Sequence, residues 1–103
     1  MTYAEKYDYI LSYIKRIAGE EFLDFNNGVY LSEKDTADRN FSMGFHMNEF
    51  SCFPEFPRDS KVLEKSLDMY FQACSLDANT ETLAVMAATL ANGGVCPTTG
   101  EKV

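Results

Sequence analysis

The sequence predicts an all-α fold, a small bundle of about four helices. Apolar residues recur at three- and four-residue spacing through four segments, and helix start and stop residues flank those segments. No alternating strand pattern competes with them except at Val29 to Leu31. At 103 residues the chain is one small domain or a piece of a larger one, and eight Phe and six Tyr within a 46% hydrophobic content suffice for a packed core.

The first helix opens at Thr2 and Glu5, which have capping-box spacing. Tyr7, Ile10, Leu11, Ile14, Ile17 and Ala18 form its apolar stripe, and Gly19 offers a left-handed stop. A loop follows from Phe22 to Gly28, where Asn26-Asn27-Gly28 has turn chemistry. The second helix is expected after Ser32 and runs to about Asn48, with Phe41 and Phe45 four apart and Gly44 between them. That glycine costs roughly 1 kcal/mol against alanine unless something packs closely there. Pro54 and Pro57 mark the next connection. The third helix is expected from about Ser60 to Leu76, with Leu63, Leu67, Tyr70, Phe71 and Cys74 on one broad face. The fourth runs from a cap at Asn79 or Thr80 to Asn92 and is ended by Gly93-Gly94. Its alanines (Ala84, Ala87, Ala88, Ala91) suit close helix packing. Thr98-Thr99-Gly100 is a turn.

Composition excludes several partners. Sixteen acidic against nine basic residues give a formal net charge of −7, with no Lys/Arg stripe, so nucleic acid and anionic membrane are not expected to bind. Apolar runs are far shorter than the ~20 residues that span a bilayer. Glu5, Lys6 and Asp8 fall where a signal peptide would be apolar. Cys52, Cys74 and Cys96 lack Cys-x-x-Cys spacing, and a single histidine supplies too few ligands for zinc, so neither metal nor cofactor is expected. The thiols read as reduced, in an intracellular compartment.

Few residues carry candidate chemistry. Ser12 and Lys15 form a Ser-x-x-Lys, but both lie off the apolar stripe, where a solvated, protonated lysine cannot act as a base. Glu33 and Asn40 are seven apart; on one continuous helix they share a face, two turns and about 10 Å apart. A carboxylate and an amide so placed could grip the two ends of an amino acid; the plainer reading is a helix-terminal acid and a surface polar residue. Tyr70 on an apolar stripe is by default a core tyrosine, and a proton-relay or ligand-contact role is the alternative. His46, between Phe45 and Met47, reads as a packing or interface residue.

More specific are YFQACS, then VMAATLANGGVCPTTGEKV (Val85 to Val103), ADRNFSMGF (Ala37 to Phe45) and CFP (Cys52 to Pro54). With the opening AEKYDYILSYIKRIAG, these resemble the animal-type glutaminases of the serine-dependent, β-lactamase-like family over essentially all 103 residues. The resemblance implies hydrolysis of L-glutamine to L-glutamate and ammonia through a serine acyl-enzyme. It implies that residues 1–103 are a single helical subdomain of a β-lactamase/transpeptidase-like α/β enzyme, with the flanking sheet-forming parts absent. Carried over residue by residue, Glu33 pairs with the substrate ammonium and Asn40 bonds the α-carboxyl end. Tyr70 lies near the nucleophile as a possible proton relay.

The family's nucleophilic Ser-x-x-Lys lies upstream of the matched region, and Ser12-x-x-Lys15 falls in a different helix. No catalytic nucleophile is therefore expected in these residues, and the chain alone is expected to be inactive. The resemblance further implies homodimers that pair into phosphate-promoted tetramers through the helix matching Phe41 to Asn48. Phe41, Phe45 and His46 would then be interface residues, with core packing the alternative for Phe45. It implies a mitochondrial location, otherwise cytosolic. Two readings stand: a piece of an intact glutaminase, or a naturally short, non-catalytic module that self-associates or modulates one. Either would expose an apolar face and self-associate.

Overall fold

The computed structural model describes residues 1–53 and 59–103, so the expected Pro54 and Pro57 connection lies outside the described residues. Helix α1 spans Tyr3–Ile17, strand β1 Leu23–Phe25, helix α2 Asn27–Asp35 and helix α3 Asp38–Glu49. Helix α4 (Ser60–Ala73), strand β2 (Leu76–Ala78) and helix α5 (Thr80–Ala91) complete the order. The fold is mostly helical, as the periodicity predicts, with one small antiparallel sheet added. The chain divides into two compact units, one of residues 1–26 with 76–103 and one of residues 27–75.

The first unit holds α1, both strands and α5. Thr2 and Glu5 close the expected capping box: the Glu5 amide donates to the Thr2 hydroxyl (3.2 Å) and the Thr2 amide to a Glu5 carboxylate oxygen (2.6 Å). Hydrogen bonding from Thr2, its amide first and then its hydroxyl, favours the ionised form and holds the Glu5 carboxyl below its ordinary range. The stripe from Tyr7 to Ile17 is the half-buried face of α1, and Ala18 is fully buried. Gly19 ends the helix at φ +61°, where a side chain would also meet the Thr98 hydroxyl at 2.5 Å.

Helix α5 packs on α1 through hydroxyls. Thr89, buried, lies 2.7 Å from the Ile17 carbonyl and 2.9 Å from that of Val85, sharing its proton between them. Thr82, also buried, reaches the Phe22 carbonyl at 2.7 Å, while the Asn79 side chain caps α5 by accepting from the Thr82 amide at 2.9 Å. The contact face of α5 is thus Thr82, Val85 and Thr89; Ala84, Ala87 and Ala91 are exposed, contrary to the packing role expected of them. Threonine serves here because the Ile17 and Phe22 carbonyls take donors that alanine lacks.

The C-terminal segment folds back on this unit. The Cys96 amide donates to the Glu101 carbonyl (2.8 Å) and Val103 to Gly94 (2.8 Å), with Gly100 at φ +75° in the expected turn. Arg16 joins α1 to the turn through Glu101 (2.6 Å) and the Lys102 carbonyl (3.2 Å). Cys96 is buried; burial opposes its ionisation, but the Thr98 and Thr99 hydroxyls favour it more and bring the thiol down to about 6. Cys52 and Cys74 are exposed.

Several boundaries differ from expectation. The Phe22 to Gly28 loop contains β1, whose Leu23, Asp24 and Phe25 face Ala78, Asp77 and Leu76. Facing Asp24 and Asp77 repel, and the Asn26 amide, 3.2 Å from an Asp77 oxygen, offsets this. Asn27 and Gly28 open α2 instead of making a turn, and Val29 to Leu31 are helical. The single helix expected to Asn48 is two. The Thr36 hydroxyl bonds the Ser32 carbonyl (3.0 Å), terminating α2, and buried Ala37 starts α3 with no side-chain cap. The expected third helix stops at Ala73, and Leu76 begins β2.

Replacing Thr89 by Val keeps its shape and removes the donor to Ile17. The expected loss is about 1–3 kcal/mol, read as a lower urea midpoint at unchanged slope; an unchanged midpoint would show the bond contributes nothing. In the native state Cys52 and Cys74 should react with a chromogenic thiol reagent while Cys96, for all its acidity, reacts only on denaturation. Three fast thiols would contradict its burial.

Candidate active-site groove

The second unit holds α2, α3 and α4. Helix α4 starts at Asp59, whose side chain accepts from the Lys61 amide at 2.9 Å. It buries Leu63 and Phe71, each 1% exposed. Helix α3 meets it at Gly44, where an added Cβ would lie 3.3 Å from Cδ1 of both Leu63 and Leu67. The glycine that weakens α3 locally is therefore the residue that lets the two helices approach.

Beside this contact runs a groove of about 420 Å³. Met43 and Met47 of α3 and Leu63 and Leu67 of α4 form apolar walls, together with Phe53. Three polar side chains enter it: Asn40 from α3, and Ser66 and Tyr70 from α4. Such a site, apolar with a few convergent polar groups, suits a small polar molecule with an aliphatic body.

Tyr70 is 52% exposed, so it is not a core tyrosine with a satisfied hydroxyl. Its ring meets the buried Phe71 ring edge-on, centroids 6.0 Å apart. The phenol is pushed above its ordinary range, chiefly by a hydrogen bond and charge from Cys74, then by burial and the Glu33 carboxylate. Glu33 thus bears electrostatically on Tyr70, although it sits on α2. The expected two-turn Glu33–Asn40 arrangement on one helix does not occur, because the helix breaks at Thr36 and Ala37.

Helix α2 is held on α4 by a second polar cluster. The Tyr30 hydroxyl donates to Asp68 (2.5 Å), and Lys34 lies 3.2 Å from the same carboxylate and 3.3 Å from the Tyr30 oxygen. The hydrogen bond to Asp68 raises the Tyr30 phenol above its usual range, and those from Tyr30 and Asp68 raise Lys34. The cluster is largely solvent-exposed, so its ion pair contributes little to stability, and its part is to tie α2 to α4.

The other sequence candidates lie elsewhere. Phe41 is half-buried between Phe45 (6.4 Å, stacked) and Phe71 (6.1 Å, edge-on). Phe45 (41% exposed) and His46 are exposed, and the His46 ring packs edge-on against Phe50 at 4.9 Å. Ser12 is exposed and spends its hydroxyl on the Tyr9 carbonyl (2.8 Å). Among the described residues no three potential metal ligands cluster, and no helix is long and apolar enough to cross a membrane.

The periodicity places Leu63, Leu67 and Tyr70 on one face but does not single out Ser66, which the four-residue spacing to Tyr70 sets on the same ridge of α4. Nothing in the sequence tells that Met43 and Met47 face this ridge.

An amide and a phenol converge on one small, mostly apolar groove, an arrangement suited to small molecules with a few polar groups. The chain belongs to the glutaminase family, whose model matches residues 1–103. It is 48% identical over 100 residues to the protein named "Glutaminase liver isoform, mitochondrial" of Rattus norvegicus, covering 97% of this chain and 16% of that protein. It is 50% identical over 98 residues to "Putative glutaminase 2" of Caenorhabditis elegans, covering 95% of this chain and 16% of that one. "Glutaminase 2" of Clostridium perfringens is 38% identical over 99 residues, 96% of this chain and 30% of its own length. The chain therefore spans a small fraction of the relatives it matches.

Gly44→Val should cost about 1–3 kcal/mol through overpacking against Leu63 and Leu67, seen in the denaturation midpoint. A stability equal to that of the parent chain would mean α3 and α4 do not depend on close approach at this point.

Proposed function

We propose that this chain is the helical portion of a glutaminase, an amidohydrolase that converts L-glutamine to L-glutamate and ammonia through a serine acyl-enzyme. Its contribution is substrate binding: Glu33 pairs with the α-ammonium, Asn40 hydrogen-bonds the α-carboxylate, and Tyr70 lies beside the reacting centre as contact or proton relay. The observation that carries this reading is the common groove of Asn40 and Tyr70. The nucleophile is a Ser-x-x-Lys outside these residues, and Ser12-x-x-Lys15 is no substitute, since its serine is engaged with backbone on an exposed helix face. The names of the mammalian relatives support a mitochondrial location.

The chain also self-associates in this reading. Phe45 and His46 of α3, with the adjoining Phe50, make an exposed row, and α5 exposes Leu83 and Leu90. Phosphate is the proposed activator of the complete enzyme, acting through the assembly of dimers into tetramers. A short non-catalytic module that binds itself or a complete glutaminase would use the same row.

In the full-length glutaminase carrying this segment, Tyr70→Phe should lower kcat/KM by about 10²- to 10⁴-fold, and Asn40→Ala by about 10- to 100-fold, measured as ammonia release from L-glutamine. Wild-type kinetics in both variants would rule out the substrate role. The 103-residue chain alone should release no ammonia above buffer, and light scattering at micromolar concentration should find a mass above that of a monomer. A clean monomer would rule out self-association.

A further inference from the structure

Asn40 and Tyr70 have parts in the proposed reaction, whereas Ser66, the third polar side chain of their groove, has none. We infer that Ser66 is a substrate-binding residue whose hydroxyl donates to the α-carboxylate beside the Asn40 amide, a role that rests on the substrate placement proposed above. Met69 stands where a Ser-x-x-Lys nucleophile would have its lysine, so the Ser66 hydroxyl binds and does not attack.

On packing grounds the serine is out of place. It is half-buried on the face of α4 that brings Leu63, Leu67 and Tyr70 to the groove, across from Met43 and Met47 of α3. A hydroxyl in such surroundings needs a hydrogen-bond partner, because burial without one costs free energy. On a helix the usual partner is a carbonyl one turn back. Thr36, Ser75 and Thr89 each reach the carbonyl four residues before them, and Ser12 the one three before. Ser66 makes no such bond and has no hydrogen-bond partner among the described residues. Ser32 and Ser42 make none either, but both are exposed, where water serves them. The Asn40 amide, half-buried in the same groove, is likewise without a partner among the described residues.

Charge and valence select the ligand group. Among the described residues neither a cation nor an anion lines the groove, so a carboxylate in it must be held by neutral N–H and O–H donors. An ionised carboxylate offers about four acceptor sites, more than the two hydrogens of one side-chain amide can fill. In the proposed placement the ammonium is matched by Glu33, and Tyr70 serves the reacting centre. The α-carboxylate is then the group of L-glutamine with acceptor capacity left over. Ser66, one turn from Tyr70 on the same ridge and sharing the groove with Asn40, has the free donor. A hydrogen bond to an ionised acceptor is about twice as strong as a neutral one, so this contact weighs on affinity.

The test compares Ser66→Ala and Asn40→Ala with the parent in the full-length glutaminase carrying this segment. It reads KM for L-glutamine and Ki for L-glutamine α-carboxamide, used as a competing ligand. Loss of a hydrogen bond to a charged group predicts a KM about 10- to 100-fold higher in Ser66→Ala, with the loss falling mainly on KM. The carboxamide keeps the shape of the substrate and removes its negative charge, so the same substitution should raise Ki only about two- to tenfold. Alanine is a better helix former than serine, so α4 survives the change. A serine with a structural role alone would weaken both ligands by the same factor. Equal effects on the two ligands, or an unchanged KM alongside an impaired Asn40→Ala, would overturn the role of Ser66. Wild-type kinetics in Asn40→Ala would instead overturn the substrate placement on which it rests.

Discussion

The approach of α3 to α4 at Gly44 is the contact on which the candidate site depends. With no side chain there, the tips of Leu63 and Leu67 come within ordinary packing distance of the α3 backbone. Leu63 is thereby buried, and the methionines on either side of Gly44 are left to wall a groove instead of filling it. Asn40 lies one turn before Gly44, and Tyr70 lies one turn after Ser66 on the opposing helix. Both can enter the same space only because the helix axes are close enough for side chains of their length to converge.

The first unit solves a different problem. A short helix packing on another through small residues buries little apolar area, so hydrogen bonds carry more of the specificity. Thr89 supplies a donor to the Ile17 carbonyl at the end of α1, and Thr82 supplies one to the Phe22 carbonyl just before β1. Gly19, at positive φ beneath Thr98 and Cys96, lets the C-terminal turn close over the same point. The polar atoms are buried and paired, which makes the arrangement specific where an alanine face would slide.

Family membership and site geometry bear on function in different ways. The family match covers the whole chain, whereas the relatives extend well beyond it. The groove adds what a family match cannot: which side chains share one space. Ser66 and Tyr70, one turn apart on α4, bring a hydroxyl and a phenol to that groove beside the Asn40 amide of α3.

By itself the sequence determined those features that near neighbours along the chain settle between them. The capping box at Thr2 and Glu5, the stripe of α1, the left-handed stop at Gly19, the cap at Asn79 and the helical class are decisions of a few consecutive residues. Tertiary structure decided where local preference was balanced. Residues 23–25 and 76–78 have no strong strand pattern and become strands because they pair with each other. Thr36 and Ala37 divide a continuous helical pattern because a side-chain bond and burial outweigh propensity. Tyr70, patterned as core, is half-exposed on a groove, and Glu33 and Asn40 sit on separate helices. Periodicity records which face is apolar, but not which helix lies opposite, how close it comes, or what remains open between them.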